Sequence, residues 1–228
     1  MRTTKTIFFA VLTFVIGVSS ASAQSTNLSK AEEESLKQAI KETVDQFNDR
    51  LTEIWRRPNQ VERLDLDKFN RYKDTYIATT LQMFINNGNA WWAYDTVKLP
   101  LEGRFILDSV LIHEAPRMQT SSVNNSKSKS QLVKTYLRKA KNSSYRKVEV
   151  TSSESCFCSN LRKISDNAYE ATLTFTQLFR AYNGEGRLVY GDRTTKTIKA
   201  YVFPTVTVGE IVWNIALGDI KVTETSRL

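Results

Sequence analysis

From Leu36 onward apolar side chains recur at steps of three and four: Leu36, Ile40, Val44, Phe47, Leu51 and Ile54. That spacing holds them on one face of a helix and predicts an amphipathic helix packed on a core. Ser29 stands at the N-cap position, and Glu32 three residues later completes a capping-box signature. Glu33 and Glu34 suit the positive end of the helix dipole, Arg56 and Arg57 the negative end, and Pro58 stops the helix. A second helix is expected from Asp65 or Asp67. Its face is aromatic (Phe69, Tyr72, Tyr76, Ile77, Met83, Phe84), and Asn86-Asn87-Gly88 ends it. Such a face belongs to a core, or lines a pocket in which tyrosine hydroxyls are polar handles on an apolar wall.

The pattern then weakens. Trp91, Trp92 and Tyr94 sit near a helix end, short strand-like pieces appear at Arg104–Ile112 and Arg117–Val123, and the Ser/Asn/Lys-rich run from Ser121 to Ser130 predicts a mobile loop. Leu132, Val133, Tyr136, Leu137 and Ala140 mark a short third helix. From Tyr145 the period changes to two. Val148 and Val150 open a strand running toward Cys158, and Tyr169, Ala171, Leu173 and Phe175 alternate with threonines in the next. Asn183-Gly184-Glu185-Gly186 is a hairpin turn. A strand follows from Arg187 to Phe203, closed by Pro204. The last carries Ile211, Trp213, Ile215 and Leu217, with a bulge expected at Gly218. Four long strands with short turns predict an antiparallel meander, one face packed and one partly wet.

The first residues change the compartment. Arg2 and Lys5 precede an apolar run from Ile7 to Val18, and Ala21-Ser22-Ala23 is an A-x-A cleavage signature, so residues 1–23 are expected to be a signal peptide. The run is too short to cross the roughly 30 Å of hydrocarbon that takes about 20 residues. Residues 24–228 are then expected to be one soluble domain, periplasmic or extracellular. The formal charge of +8 falls by two when Arg2 and Lys5 are removed. Much of the excess is local. Lys134, Arg138 and Lys141 align on one face of the third helix, with Lys127, Lys129, Lys139, Arg146 and Lys147 around them and no acidic residue between Glu114 and Glu149. This is either a solvated face or a docking surface for an anionic or protein partner.

Cys156 and Cys158 lie too close in sequence to bridge distant segments. They are either half-buried thiols or a strained bridge at a bulge. With the single His113 far away in sequence, they make no metal site, and no cofactor is expected. The chain lacks a phosphate-binding glycine loop, a G-x-S-x-G elbow, an H-E-x-x-H helix and an EF-hand loop.

The order of these elements resembles the nuclear transport factor 2-like (NTF2-like, cystatin-like α+β) family over roughly Leu28 to Thr225. The likeness rests on the two N-terminal helices, the Leu132–Ala140 helix and strands centred near Val150, Leu173, Thr195 and Ile215. It implies an α+β fold in which N-terminal helices pack in the concave face of a curved antiparallel sheet, a cone. It also implies a homodimer formed through that sheet. Family members include enzymes and non-enzymatic binding or assembly modules. The enzymes typically hold an Asp or His base and a Tyr or acid opposite it, and His113 matches no such position. The leading expectation is therefore an exported, non-catalytic binding or assembly module of the cell envelope. The alternative is an enzyme or carrier for a small hydrophobic molecule, with Tyr72, Tyr76, Trp91, Trp92 and Trp213 as pocket candidates and Asp95, Asp108 or Asp192 as acid or base. Nucleic acid is not expected, because only Tyr136 and Tyr145 lie within the basic run to stack bases.

Overall fold

A computed structural model of the chain describes residues 28–89, 114–123, 125–152, 156–165, 168–207 and 210–228. The expected signal peptide, Trp91, Trp92, Tyr94, Asp95, the piece at Arg104–Ile112 with Asp108, and His113 lie outside the described residues.

Helix α1 (Lys30–Trp55) starts at the expected cap. The Ser29 amide donates to Glu32 Oε2 at 2.8 Å and the Glu32 amide to Ser29 Oγ at 3.2 Å, closing the capping box. All six residues of its apolar stripe are buried, and so is Asn48 within it. Its C-terminus is finished differently from the sequence expectation. The helix ends before Arg56, which instead pairs with Glu53 (2.7 Å) and Glu62 (2.8 Å). The carbonyls at the helix end receive the ammonium of Lys73, a wholly buried residue of α2 (Leu66–Leu81). Its Nζ donates to the carbonyls of Glu53, Ile54 (2.9 Å) and Arg56 (2.8 Å). Helix α2 starts from Asp65, whose carboxylate accepts the Lys68 amide at 2.9 Å. It stops at Leu81, and Asn86, Asn87 and Gly88 form a turn with positive φ beyond it.

Most of the run expected as a loop is strand: β1 (Arg117–Ser122) pairs antiparallel with β2 (Asn125–Leu132). Where β2 is described, its side chains at 128–130 are all exposed, so the alternation that marks a half-buried strand is missing from the sequence. Helix α3 (Val133–Lys141) follows. The expected strand from Val148 toward Cys158 divides into β3 (Lys147–Ser152), β4 (Phe157–Cys158) and β5 (Arg162–Ser165), all on one side of β6 (Ala168–Tyr182). Strands β7 (Leu188–Thr207) and β8 (Glu210–Arg227) complete a sheet ordered β2-β1-β8-β7-β6-β3, antiparallel except where β1 meets β8 in parallel at Met118 and Ile220.

The protein is thus α+β, with three helices and a large mixed sheet of eight strands among the described residues. Strand β7 runs through Pro204. By then β6 has no further partner past Val202, so a residue lacking an N–H is tolerated there. Ile198 faces Ile220 and Ala200 faces Leu217, which puts an extra residue at Gly218–Asp219, the expected bulge. The core lies between one sheet face and α1 and α3, and Phe47, Leu137, Leu173, Phe175, Ile198 and Leu217 are almost fully buried in it. No described helix is long and apolar enough to cross a membrane.

Candidate functional site

Between α1, α3 and the sheet a cavity of ≈ 470 Å³ opens, a size suited to a small organic molecule. Aromatic rings make one wall. Trp55, from the last turn of α1, packs against Phe179 (centroids 5.4 Å), Tyr136 (6.1 Å) and Tyr145 (6.3 Å), and Phe179 packs against Tyr190 (5.9 Å). The Trp55 indole N–H donates to the Tyr136 hydroxyl at 3.2 Å, and burial pushes the Tyr136 phenol up to about 12. It therefore stays protonated near neutral pH.

Beside Phe179 and Tyr190 the sheet wall turns polar along β7. One face of β7 carries the buried residues Asp192, Thr194, Lys196, Ile198, Ala200 and Val202. Period two puts all six on the same face of the sheet. The first three line the cavity and the last three belong to the core. Tyr190 donates its phenol to Asp192 Oδ2 at 2.5 Å, and Thr194 Oγ1 donates to Oδ1 at 3.3 Å. Burial, and then the Asp192 carboxylate, raise the Tyr190 phenol above its ordinary value, so the hydroxyl remains a donor.

Lys196 is 5% exposed, and its Nζ donates to Gln177 Oε1 at 2.6 Å. The Gln177 amide donates to Asn48 Oδ1 at 2.6 Å, and Asn48 to Ser152 Oγ at 2.6 Å. This chain from β3 through α1 and β6 fixes the Gln177 oxygen on the ammonium. Burial pulls the Lys196 pKa down to about 8, against the pull of Asp192. Lys139 of α3 is exposed, lines the rim and donates to Gln131 Oε1 at 3.0 Å.

Of the pocket candidates in the sequence, none that is described lines this cavity. Tyr72 and Tyr76 stack on each other at 5.5 Å on α2, beneath the guanidiniums of Arg56 (5.9 Å to Tyr72) and Arg50 (5.7 Å to Tyr76). Trp213 packs on Tyr169 at 6.0 Å. Asp192, named as an acid or base, is buried and lines the cavity. On the basic helix, Lys141 pairs with Asp74 at 2.7 Å and Lys134 donates to Asn89 at 3.4 Å, while Arg138 is exposed. Cys156 and Cys158 form no disulfide and are half-buried, and burial raises both thiols.

Sequence reasoning missed Lys196, Gln177, Asn48 and Tyr190. Two signals pointed to them. Asn48 interrupts the apolar stripe four residues after Val44. The inner-face register of β7 also turns from apolar to polar at Lys196, six residues before the apolar run ends at Val202. The chain matches no family model, and no curated protein and no solved structure is similar to it.

Proposed function

We propose that this protein is an exported binding protein of the NTF2-like kind whose cavity holds one small, partly aromatic molecule. The observation that carries the reading is the cavity itself. Five rings, a buried carboxylate and a buried ammonium line ≈ 470 Å³. A core filled for stability alone would seat apolar side chains there, because buried charges cost free energy unless fully paired. Support for the family comes from the element order: two helices, a hairpin, a helix and a long-stranded antiparallel sheet. Support for export is the signal-peptide pattern in residues 1–23.

A second reading, catalysis on the bound molecule, is favoured by Asp192. Its carboxylate sits at the wall between two hydroxyl donors, where a base or an orienting group would stand. Binding leads because both carboxylate oxygens are already engaged.

Native mass spectrometry of the protein purified from its own envelope fraction tests this. A small molecule retained at one per chain is expected, and its mass unchanged after prolonged incubation separates carriage from turnover. A bare homodimer or a tightly co-purifying protein would return the reading to an assembly module acting through the sheet or the basic face of α3.

A further inference from the structure

Lys196 identifies the chemistry that the cavity accepts, given that the cavity is a binding site. An ammonium has three N–H donors. Among the described residues Gln177 is the single acceptor that Lys196 reaches, so two donors point into a space where the side chain is only 5% exposed. Lys73 shows how this same chain buries a lysine for structure, with three backbone carbonyls for three donors. Lys196 is not held that way.

Nor does Asp192 neutralise it closely. The two residues are four apart on one face of β7, about 13 Å along an extended strand, and the Asp192 oxygens are taken by Tyr190 and Thr194. The Ser152–Asn48–Gln177 chain keeps the one acceptor in place and leaves the other two donors aimed elsewhere. With Lys139 at the rim, the cavity wall carries two cations against one carboxylate. The exposed Arg138 stands on the same helix as Lys139 and adds to the field that an approaching anion meets.

We propose that the cavity binds an organic acid with a flat apolar body. Its carboxylate accepts the two spare N–H groups of Lys196, and its body lies among Trp55, Tyr145 and Phe179. A carboxylate suits this site better than a neutral carbonyl. It brings two oxygens for two donors, its charge compensates the buried cation, and charge-assisted hydrogen bonds are the stronger kind. A phosphate would bring more oxygens and more charge than the available donors match, with Asp192 in the same cavity.

The test is calorimetric titration of the purified protein with 2-naphthoate and with 2-naphthamide, which share a ring system and differ in charge. Naphthoate should bind one per chain and about ten-fold more tightly than the amide. Lys196→Met should bring naphthoate down to the affinity of the amide and leave the amide within about two-fold of its wild-type value. Phe179→Ala should weaken both probes alike, locating them in this cavity. Equal affinities for acid and amide, or naphthoate binding untouched by Lys196→Met, would overturn the carboxylate assignment while leaving a binding cavity. Failure of both probes to bind would remove the cavity reading as well. Should Lys196→Met not fold, the acid-to-amide ratio of the wild-type protein decides the matter.

Discussion

Two lysines are buried among the described residues, and their surroundings predict opposite responses to one substitution. Lys73→Met leaves three carbonyls at the end of α1 without their donor. Each had a charge-assisted bond, so urea unfolding should show a loss of about 2–3 kcal/mol. Lys196→Met removes a cation with two unmet donors and deprives only Gln177 of a partner, at a cost of about 1 kcal/mol. Relief of the buried charge offsets that, and the variant should be at least as stable as the wild type.

Protonation sharpens the contrast. The folded Lys196 pKa of about 8 lies below its ordinary 10.5, so between those values the unfolded chain holds a proton that the folded one has released. Stability from this group therefore rises with pH across that window and is lost as pH falls through about 8. The advantage of Lys196→Met over wild type should accordingly shrink from about pH 7 to about pH 10, with Lys73 common to both proteins. A gap that widens would mean that Lys196 is stabilised as a cation in the folded state.

At the scale of elements, each segment with a clean period was legible: α1 from its stripe and capping box, α3 from its apolar face, and β6 from the alternation through Phe175. Segments whose structure depends on a neighbour were not. Strand β2 exists because β1 offers it a ladder, while its exposed Ser/Lys side chains read as a loop. Lysines on such an edge also discourage pairing with another chain. The end of α1 was misjudged because its cap arrives from α2 and not from its own last turn. The bulge in β8 was readable from Gly218, and its packing makes a prediction. A Cβ at that position would lie 2.7 Å from Tyr201 Cε2 and 3.2 Å from Lys199 Cβ. Because Tyr201 is itself buried, Gly218→Ala should destabilise by about 1–3 kcal/mol. Thermal unfolding reads this, and an unchanged midpoint would mean that Tyr201 moves aside freely.

At the scale of the whole molecule, the sheet serves two purposes on one face. The Ile198–Val202 half of β7 is sealed by α1 and its neighbours, and the Asp192–Lys196 half is left to the cavity. Tyr169 and Trp213 belong to the sealed part, at 4% and 8% exposure. Trp213→Asp should therefore abolish cooperative unfolding, since it places an unpaired charge in the packed face. A soluble variant with an undiminished unfolding transition would contradict that burial.

The candidate site was only partly visible before the fold was known. Asp192 could be named as an ionisable group, but its burial could not be foreseen, because exposure depends on what α1 and α3 cover. Local repetition along the chain suffices for the helices, the meander, the apolar faces, the turn at Asn183–Gly186 and the bulge. Each of these is a matter of steric preference and periodicity over a few residues. The contacts that make the cavity are of another kind. Asn48 and Gln177 meet across 129 positions, Trp55 and Tyr136 across 81, and β1 finds β8 in parallel from a hundred residues away. No local pattern encodes such distances. The packing of α1 and α3 over half of one sheet face brings Lys196 to a place where two of its donors are unmet, and with it the chemistry this protein offers.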